Sequence, residues 1–134
     1  LLPSFDAQGQ SAWIVEDSPA FRELLDGELT ELGFDTELAS DAEAFIANLK
    51  ASAPAPAIII TDYCLPGASG LAVLRHAKAQ WPTVPVVWLS ATPPRNPVLL
   101  AAPELSFDAY LSKPIDLLVL RLTLARLCNL SESS

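Results

Sequence analysis

The stretch that decides the fold is Ala57-Ile58-Ile59-Ile60-Thr61, an apolar run followed directly by the carboxylate of Asp62. A short strand that is apolar on both faces is typical of the centre of a parallel sheet, because helices cover both sides of such a sheet. In an open parallel sheet, ligands bind at the carboxyl ends of the strands. Asp62 therefore stands where this class of fold places its functional residues.

Four more short strands are predicted on either side of this central one. They are Ala12–Val15, Thr36–Ala39, Pro85–Leu89 and Asp108–Ser112. Segments with apolar residues at helical spacing separate the strands, and their starts and stops carry capping residues, prolines and glycines. These predicted helices run from Ser18-Pro19 to Gly33, from Ser40 or Asp41 to about Leu49, from about Ser69 to Trp81, and from Ile115 to about Leu130.

A further helix belongs between Ala91 and Leu105, but four prolines in that stretch predict a short or irregular one. The alternation of strands and helices predicts an α/β fold, a doubly wound and mostly parallel sheet with helices on both faces. We assign residues 1–11 to an N-terminal tail or linker, 12–130 to the domain, and 131–134 to a C-terminal tail. Because Leu1 is not a methionine, we expect the chain to be part of a longer protein.

The composition limits the classes of partner. With 134 residues, 51% of them hydrophobic and 18% charged, the chain fits one folded domain. The net charge of −8 argues against direct nucleic-acid binding, which depends on cations that neutralise phosphates. No apolar run approaches the ~18 residues that span a bilayer, so no membrane contact is expected. Cys64 and Cys128 form no metal-ligand pattern with His76, and we interpret them as reduced thiols in a cytoplasmic protein.

Polar residues with matching chemistry follow four of the five strands. Glu16-Asp17 ends the first, Asp62 the third, Ser90 the fourth and Lys113 the fifth. Three carboxylates at one sheet edge offer hard oxygen ligands for Mg²⁺ (or Mn²⁺). Asp62 can then attack a phosphoryl donor and form an aspartyl phosphate, while Lys113 and Ser90 stabilise the phosphoryl oxygens. Each residue alone has an ordinary structural explanation, but their joint occurrence at four strand ends favours a site.

The same residues lie in motifs that resemble the receiver domain of two-component response regulators, the CheY-like family. The resemblance runs from Trp13 to about Leu127. The motifs are Val15-Glu16-Asp17-Ser18, Thr61-Asp62-Tyr63-Cys64-Leu65-Pro66-Gly67 with Gly70 after it, Leu89-Ser90-Ala91, and Tyr110-Leu111-Ser112-Lys113-Pro114. The sequence departs from the usual family pattern at Glu16, where aspartate is commoner, and in the proline-rich stretch.

The resemblance implies a five-stranded flavodoxin/CheY-like sheet in the order 2-1-3-4-5 and a role for each motif residue. By analogy, Asp62 is the phospho-acceptor, Glu16, Asp17 and the backbone carbonyl of Cys64 hold the metal with Asp62, Lys113 pairs with the phosphate, and Ser90 and Tyr110 are the switch residues. The Lys113-Pro114 peptide is expected to be cis.

The resemblance further implies that the domain is a phospho-acceptor rather than an enzyme, although it assists its own phosphorylation and dephosphorylation. Its partner would be a histidine kinase or a histidine phosphotransfer domain, and its location the cytoplasm. A hybrid histidine kinase is favoured as the parent protein over a stand-alone or output-linked regulator, because residues precede the domain and few follow it.

The last helix carries two apolar stripes. Ile115, Leu118, Val119 and Leu122 form one, and Leu117, Leu120, Leu124 and Leu127 form the other. A surface helix normally keeps one face polar. We expect the second stripe to dock on a second copy, an adjoining domain or a helix of a kinase, which makes these four leucines the predicted partner surface.

The same residues bear on three other classes of protein. A hydrolase of the haloacid-dehalogenase type usually has a second aspartate two residues after its nucleophile, where this chain has Cys64. A flavodoxin-like cofactor binder needs a phosphate loop after the first strand, where Glu16 and Asp17 would repel phosphate. A receiver-like interaction module that works without phosphorylation is the remaining alternative.

Overall fold

The computed structural model describes residues 2–49, 53–62, 70–91 and 107–133. The elements in chain order are β1 (Phe5–Asp6), β2 (Ser11–Val15), α1 (Pro19–Glu31), β3 (Asp35–Ala39), α2 (Ala42–Ala47), β4 (Ile58–Asp62), α3 (Gly70–Gln80), β5 (Val86–Ser90), β6 (Ala109–Ser112), α4 (Leu117–Cys128) and β7 (Ser131–Glu132). The five predicted strands and the four helices predicted within these ranges are all present, with bounds that differ by one to a few residues.

Five strands form a parallel sheet in the order β3-β2-β4-β5-β6. With the short β1 set aside, this is the predicted order 2-1-3-4-5, and the doubly wound α/β fold is confirmed. The central strand β4 is buried along its whole length. Its central position explains the uninterrupted apolar run from which the sequence predicted this strand.

The sheet separates two hydrophobic cores, and successive residues of β4 contribute to opposite ones. Ile58 and Ile60 pack with α1 and α4, whereas Ile59 packs with α2 and α3. Alternation of side chains across a strand requires this division. Helices therefore cover both faces, and the edge of the sheet remains the place for a site.

The predicted helix signals function as caps. Ser18 accepts a hydrogen bond from the backbone N–H of Phe21 at 3.3 Å, and Pro19 is the first residue of α1. Asp41 accepts from the N–H of Ala44 at 2.7 Å and begins α2. These caps satisfy N–H groups that a helix start leaves without partners. They also fix where the chain leaves each strand for its helix.

The chain termini differ from the prediction of two tails. β1 pairs antiparallel with β7, so that Phe5 lies opposite Glu132 and Asp6 opposite Ser131. Ala7 is fully buried, and its N–H donates to the carbonyl of Leu32 at 2.8 Å. The terminal segments thus pack on the domain. Each of these strands has only two residues, which is too short to produce a periodic pattern in the sequence.

The last helix packs on the sheet through the apolar stripe that was predicted to contact a partner. Leu120 and Leu124 are 0% exposed in the core beside β4 and β6, and Leu117 and Leu127 pack partly buried against the same cluster. The exposed apolar residues are Leu118, Val119 and Leu122, at 43%, 47% and 49%. The predicted partner surface of Leu117, Leu120, Leu124 and Leu127 is therefore wrong. Both stripes are apolar, and only packing decides which one faces the sheet.

Two predicted features lie outside the described residues. They are the proline-rich stretch at 92–105 and the backbone carbonyl of Cys64. Among the helices of the described ranges, none combines the length and the apolar character needed to cross a bilayer.

Candidate functional site

The carboxyl edge of the sheet brings together three of the predicted site residues. The Nζ atom of Lys113 lies 2.9 Å from Oδ2 of Asp62 and 3.0 Å from Oε1 of Glu16. Glu16 is 0% exposed and Asp62 is also buried, while Lys113 keeps part of its side chain in solvent. A single ammonium therefore bridges two carboxylates that come from different strands.

Asp17 completes the acidic group at the surface. Oxygens of Glu16, Asp17 and Asp62 all lie within 4.8 Å of one another. The three side chains carry up to three negative charges and Lys113 supplies one positive charge, so the group retains a net negative charge. Hard carboxylate oxygens at this spacing fit a Mg²⁺ ion, which is bound in proteins by one or two carboxylates and keeps several waters.

Burial shapes the protonation of this cluster. Desolvation, reinforced by the neighbouring Asp62, raises the pKa of Glu16 from 4.5 to about 7, although the hydrogen bond from Lys113 opposes the rise. For Lys113, burial works against the charged form, but its hydrogen bonds to Asp62 and Glu16 outweigh that effect and raise its pKa. Lys113 therefore stays an ammonium at neutral pH, whereas Glu16 titrates within the physiological range.

Backbone contacts aim the key side chains. The Lys113-Pro114 peptide is cis, which confirms the prediction, and the N–H of Lys113 donates to the carbonyl of Ser90 at 3.0 Å. The N–H of Glu16 donates to the carbonyl of Ala39 at 3.0 Å. These bonds continue the ladder just past the strand ends. The side chains of Glu16 and Lys113 therefore extend from backbone that is hydrogen-bonded to the neighbouring strand.

The two predicted switch residues lie on neighbouring strands. Ser90 is buried at the end of β5, in register with Ser112, and Tyr110 is in register with Trp88. The ring centroids of Trp88 and Tyr110 are 6.2 Å apart in an edge-to-face arrangement. Aligned residues of parallel strands share a face, so Tyr110 lies on the same face as Ser90, two residues farther from the site.

Tyr110 also borders an open space beside α4. A cavity of ≈ 200 Å³ is lined by Tyr110, Leu111, Ser112, Ile115, Asp116 and Val119. The half-buried side chain of Tyr110 thus contacts the indole of Trp88 and also lines this cavity. Such a position suits a side chain that can change rotamer.

Sequence reasoning missed two residues of α1. Arg22 donates from Nη1 to the carbonyl oxygen of Glu16 at 2.7 Å, and the ring centroid of Phe21 lies 4.7 Å from Nζ of Lys113. A cation one turn after an acidic pair is a signal that could have indicated Arg22. No local pattern links Phe21 to Lys113, because the two residues are far apart in the chain and only the fold brings their side chains together.

The sequence of this chain is similar to those of known signalling proteins. A family model for the response regulator receiver domain matches residues 12–125. The DNA-binding transcriptional regulator NtrC of Klebsiella pneumoniae is 33% identical over 106 residues, and the match covers 79% of this chain but 22% of NtrC. The response regulator protein PilR of Pseudomonas aeruginosa is 33% identical over 108 residues, covering 81% of this chain and 24% of PilR. The chain thus spans about a quarter or less of these relatives.

Solved structures agree with the sequence comparison. The receiver domain of the sensor histidine kinase PA1611 from Pseudomonas aeruginosa, which holds a magnesium ion in its active-site cleft, is 26% identical with a TM-score of 0.74, covering 90% of this chain and 98% of that one. The receiver domain of a signal transduction histidine kinase from Syntrophus aciditrophicus is 28% identical with a TM-score of 0.72, covering 90% and 91%. The family match, the sheet order and the cluster at its edge agree, and the chain belongs to the response regulator receiver domain family.

Proposed function

We propose that this receiver takes a phosphoryl group onto Asp62, with Mg²⁺ or Mn²⁺ held by Glu16, Asp17 and Asp62. The observation that carries the proposal is the bridging ammonium of Lys113, 2.9 Å from Asp62 and 3.0 Å from Glu16. A lysine that already bridges two buried carboxylates is positioned to pair with a phosphoryl oxygen once the metal neutralises those carboxylates. The magnesium-bound receiver of the kinase PA1611 supports the choice of metal.

In the proposed reaction a carboxylate oxygen of Asp62 attacks the phosphorus of a phosphohistidine. The new O–P bond forms as the P–N bond breaks, and the electron pair of the broken bond returns to the imidazole nitrogen. When bound, the metal neutralises negative charge on the phosphoryl oxygens. Lys113 supplies a second positive charge, and the burial of Asp62 strengthens both interactions.

The proposed switch uses Ser90 and Tyr110. Ser90 ends a strand that pairs with the strand of Asp62, and the hydroxyl of a serine can donate a hydrogen bond to a phosphoryl oxygen. A shift of Ser90 toward Asp62 would alter the space available to Tyr110 on the same face of the sheet. The backbone carbonyl of Cys64 is retained as a proposed metal ligand on the strength of the family resemblance alone.

The phosphoryl donor proposed here is a histidine kinase or a histidine phosphotransfer domain, and the proposed location is the cytoplasm. The domain would act as a substrate that assists its own phosphorylation and dephosphorylation, not as an enzyme on other molecules. A homodimer or an adjoining domain that contacts the outer face of α4 would meet Leu118, Val119 and Leu122, the apolar residues that this face exposes.

The test is the intact mass of the protein after incubation with acetyl phosphate, with and without Mg²⁺. Wild type should gain a single phosphoryl adduct that requires Mg²⁺, and Asp62→Asn should gain none. Asp35→Asn is the matched control, because Asp35 is exposed and its backbone is in register with Ser11 at the opposite end of the same sheet. It should be phosphorylated like wild type.

Two results would contradict the proposal. An adduct that persists in Asp62→Asn would place the phosphoryl group elsewhere. If folded wild type gains no adduct from acetyl phosphate, a purified phosphohistidine donor and beryllofluoride, which mimics an aspartyl phosphate, are tried next. Failure with all three would favour the alternative of a phosphorylation-independent interaction module.

A further inference from the structure

The aromatic ring of Phe21 packs against the ammonium of the site lysine. Nζ of Lys113 lies 4.7 Å from the centroid of this ring. Phe21 is the third residue of α1, whereas Lys113 directly follows β6. An ammonium within about 6 Å of a ring centroid is attracted by the negative face of the ring. The contact adds to the two carboxylates that already bind this ammonium.

The ring is held in place by its surroundings. The N–H of Phe21 donates to the hydroxyl of Ser18, which fixes the first turn of α1. The next residue, Arg22, donates to the carbonyl of Glu16 at 2.7 Å and ties the same turn to the end of β2. The side chain of Phe21 is half-buried and packs against the core beneath α1. The backbone at Phe21 is therefore tied into the first turn of α1, and its ring packs between the core and Lys113.

The contribution of this ring to the orientation of Lys113 should increase when a metal and a phosphoryl group bind. Lysine has a long, flexible side chain, and in the structure the carboxylates of Glu16 and Asp62 orient its ammonium. Under the proposed function both carboxylates become metal ligands and Asp62 becomes esterified, so they hold Lys113 less strongly. The ring of Phe21 is uncharged and remains unchanged through the cycle.

We infer that Phe21 is a positioning residue, whose ring keeps the Lys113 ammonium at the phosphoryl site when the carboxylates are engaged by metal and phosphate. This inference rests on the proposed phosphorylation of Asp62. The affinity of the protein for a phosphoryl analogue should therefore depend on the ring. Its affinity for Mg²⁺ should not, because Phe21 offers no ligand to the metal.

The experiment compares Phe21→Leu, which removes the ring but keeps an apolar side chain, with Phe21→Tyr, which keeps the ring. Phe34→Leu is the matched control, since Phe34 packs in the same core beyond the other end of α1. The first measurement, in saturating Mg²⁺ without a phosphoryl donor, is the order parameter of the Lys113 ammonium by ¹⁵N NMR. The second is the affinity for beryllofluoride in saturating Mg²⁺, and the third is the affinity for Mg²⁺ alone.

Phe21→Leu should lower the order parameter of Lys113 and weaken beryllofluoride binding by about two- to fivefold, the range expected for one partly exposed cation–π contact. Its Mg²⁺ affinity should stay unchanged, and Phe21→Tyr and Phe34→Leu should behave like wild type in all three measurements. An unchanged order parameter in Phe21→Leu would overturn the inference. So would an equal loss of Mg²⁺ and beryllofluoride affinity, which would indicate general structural damage.

The outcomes also separate this inference from the proposed function. If wild type binds no beryllofluoride and Lys113 still loses order in Phe21→Leu, the proposed phosphorylation fails and the inferred effect on phosphoryl affinity fails with it, although the contact itself is real. If wild type binds beryllofluoride and Phe21→Leu binds it equally well, the function stands and only the role of Phe21 is refuted.

Discussion

Nζ of Lys113 and Oδ2 of Asp62 are 2.9 Å apart, although the two residues are 51 positions apart in the chain. The contact is possible because β4 and β6 end at the same edge of the sheet, with β5 between them. Lys113 also bonds Glu16, which follows the strand on the other side of β4. One ammonium thus connects the ends of strands that span most of the sheet.

Replacing Lys113 with methionine should destabilise the metal-free protein at pH 8. The change removes the positive charge between Glu16 and Asp62 and leaves the carboxylates to repel one another. We expect the melting temperature in EDTA to fall by several degrees, and the stabilisation by Mg²⁺ to exceed that of wild type. Differential scanning fluorimetry with and without Mg²⁺ measures both effects.

The control for this variant is Lys78→Met. Lys78 forms an ion pair with Asp108 at 2.9 Å, but it lies on α3 and away from the carboxylates of the site. Its loss should lower the melting temperature without altering the gain from Mg²⁺. An equal gain from Mg²⁺ in wild type and Lys113→Met would contradict the prediction.

Mg²⁺ binding should weaken as the pH falls from 8 to 6. The pKa of Glu16 is raised to about 7, so below that pH the carboxyl binds a proton that a metal must displace. Lys113 remains charged throughout and contributes no slope, because its pKa is raised from an already high value. We expect the dissociation constant to be about tenfold larger at pH 6 than at pH 8.

Isothermal titration calorimetry in buffers of different ionisation enthalpy measures this pH dependence and the proton released. Glu16→Gln has no carboxyl to titrate and should show a much flatter profile. A wild-type profile as flat as that of Glu16→Gln would show that Glu16 is ionised over the whole range.

The buried ion pair between Arg121 and Glu28 should tolerate removal of both partners better than removal of one. Nη2 of Arg121 lies 2.9 Å from Oε2 of Glu28, and Nη1 donates to the carbonyl of Pro3 at 3.1 Å. Arg121→Met leaves the buried Glu28 without its cation, and we expect it to lower the free energy of unfolding by about 3–5 kcal/mol.

Urea denaturation of Arg121→Met, Glu28→Leu and the double variant forms a thermodynamic cycle. The double variant should be more stable than Arg121→Met alone, since no unpaired charge stays buried. Arg126→Met, an exposed arginine on the same helix, should leave stability nearly unchanged. If Arg121→Met and Arg126→Met have similar effects, the buried pair is unimportant for stability.

Two leucines of α4 that are two positions apart should respond very differently to truncation. Leu120→Ala opens a cavity in the core and should cost about 2–5 kcal/mol of unfolding free energy. Leu122 is 49% exposed, and Leu122→Ala should cost about 0.5 kcal/mol or less in the isolated domain. Equal effects in urea denaturation would mean that α4 is rotated from the orientation described.

The strand ends and most of the site could be predicted from the sequence. A buried central strand must be apolar on both faces, so Ile58, Ile59 and Ile60 identified β4 and made Asp62 conspicuous. Polar residues after each strand then converge by the geometry of parallel strands. Cap chemistry is local as well, which is why Ser18 marked the start of α1, and why Asp41 was one of the two candidates, with Ser40, for the start of α2.

Other features depended on the packing of distant elements. Phe21 meets Lys113 only because the fold brings the first turn of α1 close to the residue that follows β6. The pairing of β1 with β7 joins segments near the two ends of the chain. The orientation of α4 belongs to the same class. Its two leucine-rich stripes are nearly equal in hydrophobicity, so no local signal distinguishes the face that contacts the sheet from the one that faces solvent.

By itself, then, the sequence determined the order of elements, the sheet and the identity of the acids, because these depend on periodicity and on residues adjacent in the chain. Tertiary structure alone decided that Leu120 is buried while Leu122 is exposed, and that the ring of Phe21 lies against the ammonium of Lys113. The physical reason is that burial of apolar area is non-directional. It favours any apolar face equally, and the choice among faces is made by shape complementarity across the whole core.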